Sequence, residues 1–492
     1  LSKFSFIDLF AGIGGFHLGI TRHGGKSIGF SEIDKNAIEH YCLNYNIAES
    51  KNFGDITKID NLPKHDLLTA GVPCQSWSIA GRKRGFDDDR GQLWNDTIYL
   101  LNKSRPKAFI FENVKGLVDP RNKDAFKYIL DRIKEAKYHA TFLILNSYDY
   151  GVLQNRIRVY IVGFRNKKYL NAFKAPLPVE HNMKLYEVLE GIEKPNKPKV
   201  KFESKDLFGN AIPMGRTKFQ RKDELNDFFL FNDIRNGHTT IHSWDLIETT
   251  EFEKEICYTL LKNRRKKLYG LLDGNPLSLN HFKSLIPEIG KRDINRLVKK
   301  DIFKEIDYQY EILDVDNTQL TEEEKILLNQ SKGHTFSIDE LKLSKELRKN
   351  RISFSKTIPS LLEKKVIKCI EKRYDFRYTK ISSGIFGVNR IYMPNSDIFS
   401  TLVASDTNDF VSEVNINAHS TDEYKEKLIN KVYTPGKYRK ITKVEACKLQ
   451  GFPENFILPE SRPKWMKLIG NSVSVPVIEA LTKQIVETGV FD

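Results

Sequence analysis

The stretch Phe4-Ser5-Phe6-Ile7-Asp8-Leu9-Phe10-Ala11-Gly12-Ile13-Gly14-Gly15-Phe16 reads as a buried strand running into a glycine turn, and an amphipathic segment follows from His17 onward. Such a unit brings a ligand against the backbone, because glycine has no Cβ and the first turn of a helix has free N–H groups. A second strand, Ser27-Ile28-Gly29-Phe30, ends at Ser31-Glu32-Ile33-Asp34. An acid about 20 residues beyond the first turn stands where ribose hydroxyls are bound. A third unit ends in Gly54-Asp55-Ile56-Thr57, placed to meet an adenine edge. The glycines do not follow GxGxxG and no basic residue anchors a phosphate, which argues against a nicotinamide dinucleotide. A lone glycine turn is often only a tight turn. The order of turn, second-strand acid and third-strand acid points to another nucleoside-bearing cofactor.

Further along, Asp66-Leu67-Leu68-Thr69-Ala70 reads as a strand that delivers Gly71-Val72-Pro73-Cys74-Gln75-Ser76-Trp77-Ser78. The carboxyl edge of a parallel sheet is where α/β enzymes carry their chemistry. Taken alone, Cys74 would read equally as a small buried hydrophobe.

The 492 residues exceed one ordinary core, so two or three domains are expected. With 40% hydrophobic and 29% charged residues the composition is that of a soluble globular protein. No apolar run is long enough to span a bilayer, and Leu1 to Asp8 lack a signal-peptide pattern, so no membrane association is expected. Five cysteines (Cys42, Cys74, Cys257, Cys369, Cys447) are widely spaced without a CxxC pair. Neither a disulfide framework nor a metal site follows, and a reducing, cytoplasmic setting fits. The net charge of +15 favours a polyanionic partner, nucleic acid first, although a lysine-rich background would give the same balance.

With Cys74 included, the order of segments resembles the cytosine-5 DNA methyltransferase family of bacterial restriction–modification systems. Asp8 to Phe16 resembles that family's S-adenosylmethionine loop, and Pro73-Cys74-Gln75 its catalytic loop, followed by Arg90-Gly91-Gln92-Leu93. Phe111-Glu112-Asn113-Val114 resembles the Glu-Asn-Val signature, and Gln154-Asn155-Arg156-Ile157-Arg158 the Gln-x-Arg-x-Arg strand. Arg439 to Pro453, with Glu445, Leu449, Gln450, Gly451 and Phe452, resembles the long motif before the last helix. Gly470-Asn471-Ser472-Val473-Ser474-Val475-Pro476 resembles the terminal cofactor motif. The likeness covers roughly Ser2–Gly163 and Arg439–Val490. It implies S-adenosylmethionine as cofactor, with S-adenosylhomocysteine as product. Phe10, Gly12, Gly14, Gly15, Glu32, Ile33, Asp55, Ile56, Pro73, Leu93, Asn471 and Val473 are its expected binding residues.

The chemistry of C5 methylation suits these residue types. Cytosine C5 is a poor nucleophile, and a thiolate adding at C6 makes it enamine-like. The resemblance gives that thiolate to Cys74 and gives Glu112 the base at N3 and its exocyclic amine. Arg158 is expected on the base O2, and Arg156 on a loop or phosphate. Alternation along Arg156-Ile157-Arg158 sets both arginines on one strand face, which by itself would also describe a solvated charged face. The target carbon is closed off inside a duplex, so the base must be flipped out and covered. Ser78 to Leu93 suits a mobile lid, with Gly81, Gly85 and Gly91 as hinges. Gln75, Ser78, Arg82, Arg84 and Arg90 are its candidate DNA contacts, while Asp87-Asp88-Asp89 reads as solvated or paired with neighbouring arginines.

The expected fold is α/β. Residues 1–190 plus 466–492 form a Rossmann-like methyltransferase domain, 191–438 a large inserted target-recognition domain, and 439–465 a hinge segment. Within the insert, Ile294 to Ile306 recurs as Ile358 to Ile370, and both copies end in a Tyr-acid-apolar triplet (Tyr310-Glu311-Ile312; Tyr374-Asp375-Phe376). With the preceding helical segments Leu277–Ile286 and Ile338–Lys349, each copy near 270–314 and 335–378 reads as a helix, a turn and a β-hairpin. That is the outline of a winged helix-turn-helix, which reads a DNA groove, though such units also serve as protein-interaction modules. Asn263-Arg264-Arg265-Lys266-Lys267 is a basic cluster that suits phosphates or a solvated helix face. Asn389, Arg390 and Asn408 are candidate base readers, and Thr401-Leu402 resembles the Thr-Leu pair of family recognition domains. The expected partners are double-stranded DNA and a cognate restriction endonuclease, with the enzyme a monomer. An RNA cytosine methyltransferase and a catalytically silent DNA-binding regulator are the competing readings.

Overall fold

The computed structural model describes residues 4–73, 89–192, 194, 228–231, 240–272, 274–313, 320–330, 333–377, 387–418 and 420–492. The first strand, β1 (Phe4–Leu9), is buried along nearly its whole length, as a strand covered on both faces must be. It is followed by α1 (Gly15–Thr21), β2 (Gly25–Ser31), α2 (Lys35–Tyr45), β3 (Leu67–Gly71), α3 (Asp89–Ser104), β4 (Ala108–Val114), α4 (Lys123–Glu135), β5 (His139–Asn146), β6 (Ile157–Phe164) and α5 (Lys167–Ala172). These strands make one six-stranded sheet of order β2-β1-β3-β4-β6-β5. β1 to β4 run parallel, and β6 runs antiparallel between β4 and β5. The Rossmann-like α/β arrangement is the one expected from the sequence, and the C-terminal ends of β1, β2, β3 and β4 all open on one edge.

The insert builds two further sheets. β7 (Phe228–Phe231) and β8 (Thr240–Ile241) lead into α6 (Ser243–Leu246) and α7 (Glu251–Asn263). Then come β9 (Leu277–Ser278), α8 (Leu279–Leu285), α9 (Lys291–Lys299) and β10 (Phe303–Ile312). The second copy holds α10 (Glu322–Asn329), β11 (Thr335–Ser337), α11 (Ile338–Leu343), α12 (Lys345–Lys349), α13 (Phe354–Glu363) and β12 (Ile367–Phe376). Neither copy closes a hairpin of its own among the described residues, which differs from the sequence expectation. β10 of the first pairs antiparallel with β12 of the second, from Phe303↔Phe376 to Ile312↔Ile367. The short strands cross over in the same way: β9 pairs with β12 and β11 with β10. Each copy therefore completes the other's sheet.

The two copies share their fixtures. Thr250 and Thr321 cap α7 and α10, with Glu253 and Glu324 closing each box. Both glutamates are buried and ion-paired to the lysine that ends the last helix of their copy, Lys300 and Lys364. Ser278 and Ser337 cap α8 and α11. Asp301 and Lys365 both turn the chain through positive φ before the long strand. Arg264, expected on phosphate or solvent, is instead buried, ion-paired to Asp375 at 3.1 Å and set over the Phe376 ring.

The remaining sheet, of order β15-β14-β13-β7-β8, takes in β13 (Arg390–Tyr392), β14 (Asp409–Ser412) and, past α14 (Thr421–Leu428), β15 (Tyr438–Arg439). The chain returns to the methyltransferase sheet through α15 (Lys443–Gln450), α16 (Arg462–Asn471) and α17 (Val475–Val486). Ile441, Ala446, Leu449, Phe452 and Trp465 share one core with Leu153 and Leu185 on one side and Phe399 and Leu402 on the other. The segment expected as a hinge is thus packed against both parts. α17 lies on α1 and β1, where Val477, Ile478, Leu481 and Ile485 join Phe4, Phe6, Phe16 and Ile20. Gly19 permits this contact, since a Cβ there would stand 2.8 Å from Ile478. Gly19→Val should lower stability by about 1–3 kcal/mol through overpacking, read as a lower denaturation midpoint; an unchanged midpoint would show that the α1–α17 seam is loose.

Candidate active site

The chain turns sharply after β1, with Phe10 and Gly12 both at positive φ. Gly12 N–H donates to Glu32 Oε2 at 2.9 Å, and Glu32 Oε1 accepts from the N–H groups of Ile33 and Asp34. One carboxylate thereby ties the turn after β1 to the turn after β2. Asn52 braces it from behind, accepting from Glu32 N–H and donating to Glu32 C=O. Asp34 caps α2 and pairs with Lys467 of α16 at 2.6 Å. Asp55 caps the turn after Gly54, and the two hydrogen bonds from Thr57 hold its carboxyl below the usual carboxylate range.

These turns border a cavity of about 530 Å³, within the size of a nucleoside-binding pocket. Phe10, Gly12, Glu32, Ile33, Asp55, Ile56, Pro73, Leu93 and Asn471 line it. Gly14, Gly15 and Val473 stand behind its wall. A Cβ on Gly14 would enter the Tyr45 ring, and one on Gly15 would meet Ser472 and Val473 at 2.8 Å. Ile33 is 71% exposed at the mouth, an apolar surface beside carboxylates that a flat heterocycle would cover. Asn52 and Lys467 escaped the sequence reading, since a lone polar residue in a loop or on a helix carries no periodic signal.

Glu112 and Arg158 enter the same cavity from β4 and β6. The antiparallel register sets Glu112 opposite Tyr160 and Val114 opposite Arg158, so the two charges share a face as diagonal neighbours. Arg158 Nε lies 3.1 Å from Glu112 Oε1. Burial nevertheless raises the Glu112 carboxyl above its ordinary value, against the attraction of Arg158 and Arg156. Asn113 Nδ2 donates to Val72 C=O at 3.0 Å, fixing the end of β3 just before Pro73. Cys74, Gln75, Ser78, Arg82 and Arg84 lie outside the described residues, as does the side chain of Arg90 on α3.

A buried polar knot joins this cavity to the insert. Arg156, 3% exposed, donates to the carbonyls of Leu402, Gly470 and Ser472. Gln154 donates to Leu449 C=O and Gln450 Oε1, and accepts from Leu402 N–H. Gln450 in turn donates to the carbonyls of Ser472 and Val473. Both backbone groups of Leu402 are thus held by side chains of the short segment that leads into β6. Thr401 Oγ1 donates to Asn155 C=O, and Asn155 N–H to Phe399 C=O. Gly470 lets α16 approach this loop, because a Cβ there would lie 2.4 Å from the Val403 carbonyl carbon. Arg156 so holds loops together in this structure. Asn389 and Arg390 both donate to the buried Asp409 carboxylate, which also takes Ser400 and Thr407. Asn408 is exposed, with its carbonyl accepting from Asn389 N–H.

The sequence matches the C-5 cytosine-specific DNA methylase family over residues 4–487. The chain belongs to that family. The Type II methylase M.HgiEI of Herpetosiphon aurantiacus is 41% identical over 490 residues, 99% of this chain and 97% of that protein. The Type II methyltransferase M.BanI of Aneurinibacillus aneurinilyticus is 29% identical, again over 99% of this chain and 97% of its own. The solved Entamoeba histolytica methyltransferase EhMeth is 14% identical with a TM-score of 0.47, covering 99% of both chains. The methylase is therefore a DNA cytosine-5 methyltransferase of the Type II restriction–modification kind. Among its described residues, no helix is long and apolar enough to cross a membrane.

Two expectations test the site's physics. Gln154→Leu strands the Leu402 N–H and leaves buried carbonyl oxygens without their donor, which should cost about 1–3 kcal/mol; a urea midpoint equal to the parent's would contradict the knot. For Glu112 the folded state binds its proton more tightly than the unfolded chain. The stability this adds is full below the ordinary glutamate range and is lost as pH rises through the folded value. Glu112→Gln removes that titration, so its melting temperature relative to the parent should climb as pH rises from the ordinary glutamate value, about 4, through the raised folded value. A gap that stays constant with pH would show that burial does not govern this carboxyl.

Proposed function

We propose that the methylase acts on a cytosine flipped out of duplex DNA, through a covalent bond between Cys74 Sγ and C6 of the ring. The observation that carries this reading is the Glu112–Arg158 pair facing the same cavity that Phe10, Glu32, Ile33 and Asp55 line, at the end of the strand that leads to Pro73. Glu32 suits ribose hydroxyls, Asp55 an adenine amine, and Ile33 the adenine face. When bound there, S-adenosylmethionine supplies the electrophilic methyl that C5 takes up. Cys74, as thiolate, adds to C6 and sends the electron pair toward N3 and C5. Burial raises the Glu112 carboxyl above its ordinary value, which suits it to hydrogen-bond N3 and donate a proton as charge builds there. Arg158 holds O2 of the base. Loss of the C5 proton and departure of the Cys74 thiolate then restore the aromatic ring.

In this reading Arg156 keeps the recognition loop and the cofactor wall in register. Gln75, Ser78, Arg82, Arg84 and Arg90 contact DNA from the catalytic side, and Asn389, Arg390, Thr401 and Asn408 from the insert. Asn408 is the exposed member of the second group, and Arg390 reaches a base after sharing its guanidinium with Asp409. The enzyme works as a monomer and protects its site from a cognate endonuclease. Bisulfite sequencing of plasmid from cells expressing the chain should find protected cytosines in one short motif. Cys74→Ala should abolish protection while duplex binding stays within a few-fold of the parent. Protection that survives Cys74→Ala would refute the nucleophile, and a folded parent that protects no cytosine would favour an RNA substrate or a silent DNA binder.

A further inference from the structure

The two helix-and-strand copies in the insert are alike inside and unlike outside. Residues 64 positions apart superimpose in role: Ile294 with Ile358, Leu297 with Leu361 and Ile302 with Val366 are buried, and Lys300 with Lys364 anchor the capping glutamates. Each copy has the order of a winged helix: a first helix, a short strand, a helix-turn-helix (with the short α12 added in the second copy) and a long strand, with the wing strand borrowed from the other copy. In that arrangement the second helix of the helix-turn-helix enters the groove. Those helices are α9 and α13.

Their outer faces differ at every equivalent position. α9 presents Lys291, Arg292, Asn295, Arg296 and Lys299, where α13 presents Ser355, Lys356, Pro359, Ser360 and Glu363. Lys291, Asn295 and Lys299 follow one another at four-residue spacing, and so do Arg292 and Arg296, which puts all five on one side of the helix. Ile294 and Leu297 point the opposite way, into the core. The α9 face has four cations against the single carboxylate of Asp293, which is ion-paired to Arg296. Arg292 and Lys299 make no ion pair among the described residues. On α13 the single exposed lysine shares the face with Glu363, and Pro359 takes the place of the central Asn295. A merely solvated helix has no reason to gather one sign of charge around an asparagine, the side-chain pairing for phosphates flanking an adenine edge.

We infer that α9 is a DNA-reading helix, docking in the major groove of the duplex, whereas the α10–α13 copy serves to complete its sheet by supplying β12. The inference rests on the target-recognition role proposed for the insert. It assigns that role in part to a surface separate from the loops around Asn389 and Asn408.

The test uses the full chain and fluorescently labelled random-sequence duplexes of about 30 base pairs, so that it needs neither activity nor a known site. Arg292→Glu with Lys299→Glu should weaken binding by about tenfold or more and make the plot of log affinity against log salt shallower by about two. Lys356→Glu with Ser355→Glu, on the exposed face of α13 at the positions of Arg292 and Lys291, should leave both within twofold. Equal effects of the two pairs would overturn the assignment, as would no effect of either. Should the reversed pair shift the unfolding midpoint, Arg292→Gln with Lys299→Gln gives the same comparison with a smaller change in slope. Asn295→Ala should relax the motif found by bisulfite sequencing at one position, and an unaltered motif would restrict α9 to phosphate contact and overturn its reading role. A parent that binds duplex without methylating it would count against the proposed reaction and leave the α9 comparison intact.

Discussion

Three buried side chains, Gln154, Arg156 and Gln450, set the constraint on which the site depends. Segments more than 240 residues apart in sequence must meet without water between them, and their backbone groups need partners. No strand pairing or helix is available there to satisfy the carbonyls of Leu402, Gly470 and Ser472. Arg156 and Gln450 do so instead, while Gln154 takes the Leu402 N–H. The guanidinium is suited to this because its fixed fork serves several acceptors in one plane. Removing a member leaves unpaired polar groups in the interior, which costs more than the hydrogen bond it made. The loop at Leu402, the cavity wall at Gly470 and the strand that carries Arg158 therefore meet at one junction.

Much of the methyltransferase sheet was legible because its signals are local. Phe4 to Phe16 contains its own strand, turn and helix start, and it folds as β1 and α1. The apolar runs ending at Ala70 and Phe111 are β3 and β4, each extended by a residue or more at the carboxyl end. The lining of the cavity was also largely readable, since each turn holds an acid or glycine at a strand end. Gly14, Gly15 and Val473 belong to the same motifs yet pack behind the wall, because a motif records which residues are required and not which atoms face the ligand.

Long-range pairing was illegible. The strands β10 and β12 have the alternation of hairpin partners, and the local reading gave each copy a hairpin. Alternation states that a strand has one buried face but not where its neighbour lies. The partner of each is in the other copy, some 60 residues away. Polar residues posed the same difficulty in reverse. Gln154, Gln450 and Arg264 look like surface residues in composition, and only the fold shows that each satisfies a buried partner. The sequence signal for Arg264 was a run of cations, and its neighbours in that run point elsewhere because a helix end scatters successive side chains around its axis.

The placement of the cofactor wall on α16 has a bearing on how the protein comes into being. Lys467, Gly470 and Asn471 border the cavity whose other walls are built before residue 160. A ribosome adding about 5–20 residues per second spends some tens of seconds between those two parts. Throughout that interval the nascent chain has its first strands and its glycine turn, but an open cavity and an exposed α1 awaiting α17. A closed cavity in this architecture thus waits until α16 and α17 have been made.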